Sequence, residues 1–282
     1  MRAGVAVSLA GPNYGPGLAT QPSEEQMSPM LDAVSRILGR CDSEETVLPP
    51  TELFNEGWML RLVLDWLDRN RKVLHPLALT PDAGWYSEAL LPSRFLPESR
   101  GDPKGESFTH ADGVIGHFEV ASGDRGDVQL LSGARQFVVV EAKLGSALSA
   151  RTKHAPTYDQ AARNVACMAY VLGSAGIEAR AVDRLAFYVV APETQVKSGL
   201  FADLVTKPSV ERKVRERGSA YGGKHDGWFK DTFLPTLSHI ELGTLSWEDV
   251  LDSLPRTAET QLLSDFYAQC LRFNPLRAGR AA

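Results

Sequence analysis

The sequence has few cysteines, no long apolar run and no excess of positive charge. Cys41, Cys167 and Cys270 stand far apart in 282 residues, which argues against a disulfide framework and against a structural zinc site. No stretch approaches the roughly 18 apolar residues that span a bilayer, so no membrane segment is predicted. Sparse cysteine and the lack of a convincing signal segment together predict a cytoplasmic protein.

The net charge is −5, from 30 Lys and Arg residues against 35 Asp and Glu residues. This balance excludes a general polyanion-binding surface, so any contact with nucleic acid has to come from a local basic patch. Hydrophobic residues make up 43% of the chain, which excludes general disorder and allows a sizeable core.

Composition divides the chain into an N-terminal extension and one larger domain. Residues 1–27 are rich in Gly, Pro, Asn and Ser, and a helix is predicted from Pro29 to about Gly39. Residues 1–45 are therefore interpreted as an extension with one helix. Residues 46–282 are interpreted as a single domain that ends in helices.

Hydrophobic periodicity and turn residues predict the order of elements in this domain. The predicted helices cover residues 51–67, 157–173, 209–217 and 257–273, and the predicted strands cover residues 109–120, 136–142, 185–191 and 237–242. Residues 81–106, rich in Pro, Gly and Ser, are predicted to be irregular with one short helix near 87–91. This order predicts an α/β fold in which a mixed central sheet is flanked by helices on both faces.

Charged residues follow directly on the most β-prone stretch of the chain. The run Val138–Val140 is followed by Glu141, Ala142 and Lys143. Side chains alternate along a strand, so Glu141 and Lys143 project to the same side. The preceding run is apolar on both faces, which is typical of a central strand covered by helices. A carboxylate and an ammonium group there are costly to desolvate unless they pair with each other or face a metal ion and a phosphate.

A second acid, Asp112, lies on an otherwise apolar face of the strand predicted over 109–120. If this strand pairs with 136–142 as a hairpin, Asp112 and Glu141 converge at one end of the sheet. Mg²⁺ in proteins typically takes one or two carboxylates together with waters and substrate phosphates. Lys143 beside them is suited to orient or deprotonate a water and to stabilise charge on a phosphoryl group.

With Asp112, in an Ala-Asp context, and Glu141-Ala142-Lys143, the chain resembles the PD-(D/E)xK nuclease superfamily. This is the fold of many restriction endonucleases and of RecB-type nuclease domains. The resemblance implies a restriction-endonuclease-like mixed sheet in which Asp112 and Glu141 bind Mg²⁺, often with the backbone carbonyl of Ala142, and in which Mn²⁺ can take the place of Mg²⁺. It also implies that Lys143 serves the attacking water.

The same resemblance assigns further residues by their place in the order of elements. Glu56 takes the place of a glutamate that an early helix often supplies, where it would act with the water or a second metal. Gln160 takes the place of a glutamine on the helix after the motif, and Asn164 stands where RecB-type domains carry tyrosine. Arg151 and Lys153, just past the motif, are expected to contact nucleic-acid phosphate.

The carboxylates also have a purely structural interpretation. Glu141 and Lys143 can form an ion pair near a strand end, and Asp112 can be an acid of a turn or a strand edge. Glu56 lies near the start of a helix, where a carboxylate is favoured by the helix dipole.

Gln160 and the densest basic stretch have structural interpretations as well. Gln160 can close a capping box with Thr157. The basic stretch between Lys207 and Lys230, with two aromatic residues interleaved, is suited to contact a phosphate backbone, but acidic residues dilute it and a solvated helix face is the favoured interpretation.

The sequence therefore predicts a Mg²⁺-dependent nuclease that hydrolyses DNA phosphodiester bonds, with Asp112, Glu141 and Lys143 at its centre. The alternative is a catalytically inactive nuclease-like fold that binds nucleic acid or acts as a scaffold, which the acidic net charge favours. A third interpretation makes the charged residues a structural ion-pair cluster in a protein of other function. Strandedness of the DNA, sequence preference, exonuclease versus endonuclease action, and monomer versus homodimer stay open.

Overall fold

Residues 29–43, 47–97, 99–121, 127–149 and 155–275 are described by the structure, which is a computed structural model. The chain divides by its internal contacts into two units, residues 1–48 and 49–282. Helix α1 of the first unit spans Pro29–Asp42, so the helix predicted from Pro29 is present and runs three residues further than expected.

The second unit contains the remaining elements. Its strands are β1 Gly84–Leu91, β2 Thr109–Gly116, β3 Phe118–Val120, β4 Val128–Leu130, β5 Gln136–Ala142, β6 Arg184–Ala191 and β7 Glu241–Ser246. Its α-helices are α2 Glu56–Arg69, α3 Gln160–Ser174, α4 Glu193–Lys197, α5 Lys207–Ser219, α6 Asp226–Trp228, α7 Leu234–His239, α8 Trp247–Asp252 and α9 Ala258–Phe273. Single turns of 3₁₀-helix lie at Pro50–Glu52 and Ala179–Ala181, and a π-helical turn lies at Phe229–Phe233.

Five strands form one mixed sheet in the order β1-β2-β5-β6-β7. β1 pairs with β2 and β2 with β5 in antiparallel fashion, whereas β5–β6 and β6–β7 are parallel. Helices α3 and α5 cover one face, and helices α2, α8 and α9 cover the other. The prediction of a mixed α/β fold with helices on both faces is confirmed at this level.

Strand β5 occupies the centre of the sheet, and every one of its residues is buried. Phe137 and Val139 belong to the hydrophobic cluster on the α3 side, whereas Val138 and Val140 belong to the cluster on the α2 side. The stretch is apolar on both faces because helices cover both faces, as the sequence predicts. The predicted bounds of this strand, 136–142, are confirmed.

The prediction of a single strand over 109–120 is wrong, because strand β2 ends at Gly116 and β3 is a separate strand. Gly116 has φ 154°, and a Cβ atom there would lie 2.1 Å from the carbonyl oxygen of Gln136, so only glycine fits. β3 then pairs with β4 in a separate two-stranded sheet, which forms the insertion between β2 and β5.

Two other predicted elements are wrong. The short helix expected near 87–91 is strand β1, whose Ala89 and Leu91 are fully buried against the α3-side cluster. The late strand expected over 237–242 is divided between helix α7 and strand β7, since Leu237 packs from the helix into the core.

Across the described part of the chain, no helix combines the length and the apolar character needed to cross a membrane.

Candidate active site

The antiparallel pairing of β2 and β5 brings the two predicted acids together. The ladder ends at the pair Gly113–Val140, so the next residues, Asp112 and Glu141, stand opposite each other. The Oδ2 atom of Asp112 accepts a hydrogen bond of 2.7 Å from the backbone N–H of Ala142. The Asp112 carboxylate thereby accepts the hydrogen bond of a β5 backbone N–H just beyond the last paired residues of β2 and β5.

The Glu141 carboxyl group is surrounded by hydrogen-bond donors. Lys143 forms an ion pair with its Oε1 atom, and the side-chain amide of Gln160 donates to the same oxygen. The amide of Asn164 lies 3.4 Å from the other oxygen, Oε2. Glu141 is fully buried and Lys143 is 8% exposed, so these contacts are shielded from solvent. The structure thus joins Gln160 to the predicted motif, and it adds Asn164 as a second amide.

Burial raises the pKa of Glu141 to about 8, and the nearby Asp112 carboxylate adds to this effect. The ammonium group of Lys143 acts in the opposite direction by favouring the charged carboxylate. Two acidic groups therefore lie close together, and the ammonium group of Lys143 pairs with one of them, Glu141. An additional positive charge placed between the acids would relieve their repulsion.

The backbone of Lys143 is held by the neighbouring strand and by a helix on one face of the sheet. Its N–H donates to the carbonyl of Val190 in β6 at 2.8 Å, and its carbonyl accepts from the indole N–H of Trp247 in α8 at 2.9 Å. Lys143 directly follows β5, and these two hydrogen bonds fix the position of its main chain.

Helix α3 begins at Gln160, three residues later than predicted, because Asp159 is its N-cap. The Asp159 carboxylate accepts from the backbone N–H of Ala162 at 3.0 Å. The capping box between Thr157 and Gln160 is therefore wrong. The Gln160 side chain instead joins Glu141 to the backbone N–H of Ser149, which it contacts at 3.2 Å.

Glu56 lies apart from the acid pair, at the first position of α2. It lines a surface pocket with Leu144, Gly145 and Ser146, just past the end of β5. Its carboxylate forms no hydrogen bond or ion pair with another described residue. Within the described ranges, no group of three or more His, Cys, Asp or Glu side chains is placed to hold a metal ion. Glu56 therefore lies close in space to the residues that follow the motif, but it does not complete a three-acid cluster.

Arg151 and Lys153 lie outside the residues that the structure describes. The basic stretch is only partly a solvated face, because Lys213 and Arg217 of α5 are buried. The more exposed arginines of α5 pair within the helix, Arg212 with Glu216 and Arg215 with Glu211.

Glu88, which the sequence did not suggest, lies on β1, the strand next to β2, and its carboxylate contacts Arg61 on the α2 side of the sheet. It lies opposite Asp112 in the register of β1 and β2, and its backbone is left-handed with φ 56°. Strict alternation would put Ser87 and Glu88 on opposite faces, yet both contact Arg61. The left-handed backbone accounts for this departure and directs the Glu88 carboxylate toward the guanidinium of Arg61. Such strain in a non-glycine residue is concentrated at functional sites.

Comparison with protein-family models, with curated proteins and with solved structures finds no match for this chain. The assignment of a function therefore depends on the geometry of the residues themselves.

Proposed function

We propose that this chain is a Mg²⁺-dependent nuclease of the PD-(D/E)xK type, with a restriction-endonuclease-like fold, that hydrolyses DNA phosphodiester bonds. The observation that carries this proposal is the meeting of Asp112, Glu141 and Lys143 at the end of the central strands. An ion pair that served only stability would need one acid for one base. Here a second acid faces the first, and the pKa of Glu141 is raised as a result of burial and this neighbour.

The donor set suits a hard divalent cation. Asp112 and Glu141 offer carboxylate oxygens, and the carbonyl of Ala142 is the third donor that the resemblance implies. Mg²⁺ commonly binds through one or two carboxylates and keeps several waters, so a third acid is not required. When bound, Mg²⁺ would polarise a phosphoryl oxygen and make a water more acidic.

The other residues of the site act on the substrate or on the acids. The ammonium group of Lys143 orients the attacking water and offsets the negative charge that develops on the phosphoryl group. The amides of Gln160 and Asn164 hold the Glu141 carboxylate in one orientation. Arg151 and Lys153 stay predicted contacts to the DNA backbone, and Glu56 stays a predicted helper of the water.

The first test is cleavage of supercoiled, linear duplex and single-stranded DNA in Mg²⁺, in Mn²⁺ and in EDTA. We expect metal-dependent cleavage by the wild-type protein and a rate at least ~100-fold lower for Lys143→Ala, the usual effect of losing a group that serves proton transfer. Lys197→Ala is the matched control, because Lys197 also pairs with a carboxylate, Glu193 at 2.6 Å, but on an exposed helix. Circular dichroism checks that both variants are folded.

Glu141→Gln provides a second inactive variant that keeps the volume of the buried side chain. Metal-dependent cleavage retained in both Lys143→Ala and Glu141→Gln would contradict the proposed function. So would the absence of cleavage combined with calorimetry that shows no Mg²⁺ or Mn²⁺ affinity dependent on Asp112. That last result would favour an inactive nuclease-like fold that only binds or scaffolds.

A further inference from the structure

A pocket of about 350 Å³ is lined by residues of β4 and of the second half of α3. Among its lining residues, Val128, Leu130 and Val171 are buried, whereas Gln129 and Ser174 are exposed. The pocket therefore has an apolar interior and opens to solvent. Its volume falls at the lower end of the range of about 300 to 1,000 Å³ that is usual for small-molecule sites.

Asp127, at the start of the β4 strand, gives this pocket a negative charge. It is the only acidic or basic residue among the described residues that line the pocket. Its Oδ1 atom is buried and forms no hydrogen bond with any described group. A carboxylate that solvent reaches only in part is costly to keep charged unless a donor or a cation lies close to it. The pocket is therefore complementary to a ligand with a positive charge.

The main chain around Asp127 is fixed by two neighbouring strands. Its carbonyl accepts a hydrogen bond of 2.9 Å from the backbone N–H of Ala121, and the next residue, Val128, pairs with Val120 of β3. An isolated parallel bridge also joins Asp127 to Leu90 of β1. The acid thus has a defined backbone position without any ligand.

Two aromatic residues line the pocket from different elements. Phe108 directly precedes β2, and Tyr170 lies on α3; both are partly buried. Aromatic rings attract organic cations, and they also pack against aliphatic chains. A hydrated metal ion such as Mg²⁺ gives up its waters reluctantly and gains nothing from an apolar lining. One acid, two aromatic residues and an apolar interior therefore suit a cation that carries its own apolar part.

We propose that this pocket binds a small organic cation, an ammonium or guanidinium group on an aliphatic stem. Asp127 compensates the charge, and Phe108 and Tyr170 enclose the stem. The site is separate from the acid pair, because Tyr170 follows Asn164 by six residues, roughly 9 Å along the helix axis. The inference therefore goes beyond the proposed nuclease activity and does not depend on it. The small volume of the pocket favours a free amine over the side chain of a partner protein.

The test compares two ligands of equal stem length by ligand-observed NMR at about pH 7, where an alkylamine is charged. The wild-type protein is expected to bind n-pentylamine about 10-fold more tightly than 1-pentanol, the usual effect of one interaction with a charged group. Asp127→Asn should abolish this preference, and Tyr170→Ala should weaken the binding of both ligands. Glu119→Gln is the matched control, since Glu119 is an exposed acid of the neighbouring strand β3 that does not line the pocket. Circular dichroism checks that the variants are folded.

Equal binding of the two ligands by the wild-type protein would overturn the proposal. So would a preference for the amine that persists in Asp127→Asn, or one that Glu119→Gln reduces to the same extent. Asp112→Asn tests the other acidic place in the molecule, and amine binding lost there but kept in Asp127→Asn would assign the amine to the acid pair instead. Nα-acetyl-lysine methylamide separates the two sources of the cation: weaker binding than n-pentylamine supports a free amine, and tighter binding supports a lysine of a partner protein.

Discussion

Glu141 sets the proton balance of the candidate site. Its pKa is raised from an ordinary value of 4.5 to about 8 by burial and by the Asp112 carboxylate. The folded protein therefore binds this proton more tightly than the unfolded chain does. Stability from this group is complete below about pH 4.5, and it is lost as the pH rises toward 8.

In EDTA, we expect the free energy of unfolding of the wild-type protein to fall between pH 5 and 8 more steeply than that of Glu141→Gln. Glutamine has no proton to lose in this range, so the pH dependence of stability that is due to residue 141 disappears in the variant. At about 1.4 kcal/mol per pKa unit, the difference between the two curves is on the order of 3 to 5 kcal/mol over this range. Urea denaturation at several pH values measures it, with the exposed Glu119→Gln as control. Parallel curves for wild type and Glu141→Gln would contradict the raised pKa.

The residues of the site differ in how far the sequence could identify them. Glu141 and Lys143 could be placed on one side because side chains alternate along a strand. Asp112 could be placed opposite Glu141 once the two strands were paired. Asn164 faces Glu141 only because α3 crosses the end of β5, and Glu88 reaches Arg61 through a left-handed backbone. The spacing of four residues puts Asn164 on the same side of the helix as Gln160, but the contact of Asn164 with Glu141 and the conformation of Glu88 have no signal in the sequence.

Helix α3 delivers two amides to the site, and its start is fixed by a buried ion pair. Lys213 of α5 lies 2.5 Å from the Asp159 carboxylate, which also caps the helix. Both side chains are almost fully buried, at 6% and 5% exposure. An ion pair in such surroundings is costly to break from one side only.

We expect Lys213→Ala to destabilise the protein by about 3 to 5 kcal/mol, because it leaves a buried carboxylate without its cation. The double variant Asp159→Asn/Lys213→Met should be close to wild type, since asparagine caps a helix as well as aspartate does. Urea denaturation compares the two. A double variant as unstable as Lys213→Ala would show that the charge pair itself is needed.

Strands and helices were predictable where burial and periodicity agree. β5 has apolar residues on both faces, and α9, Ala258–Phe273, matches the helix predicted over 257–273 except that Thr257 is its N-cap. β1 was missed because its flanks are rich in Pro and Gly and because Glu88 breaks the alternation. The division after Gly116 was missed because β-prone residues continue across it, and only tertiary contact with Gln136 reveals the turn.

At the end of the sheet opposite the candidate site, residues 75–78, which precede β1, bind to the first residues of β5 and β6. Arg184 donates to the carbonyls of Pro76 and Ala78, and Gln136 donates to the same Ala78 carbonyl at 2.8 Å. His75 is buried in this segment and accepts from the backbone N–H of Leu77 at 2.9 Å. Burial, aided by the charge of Arg184, lowers the pKa of His75 from 6.5 to about 4.

This histidine makes the folded protein sensitive to acid. The unfolded chain takes up a proton near pH 6.5 that the folded protein resists until about pH 4, so stability falls as the pH drops through this range. We expect a loss of about 3 kcal/mol from this group. His75→Asn should flatten the dependence in thermal unfolding between pH 4 and 7, whereas His110→Asn, at an exposed position, should not. A decrease in stability between pH 7 and 4 that is the same in His75→Asn as in the wild-type protein would contradict this prediction.

The main-chain bonds of residue 143, one to β6 and one from Trp247, do not depend on the side chain that this position carries. Arginine, glutamine or methionine can be exchanged for the lysine there while the backbone keeps the same two partners. A series of such exchanges alters the charge and reach of one group in constant surroundings. Position 143 is thus a fixed place in the backbone at which the contribution of a single positive charge to metal binding and to cleavage can be measured beside two acids.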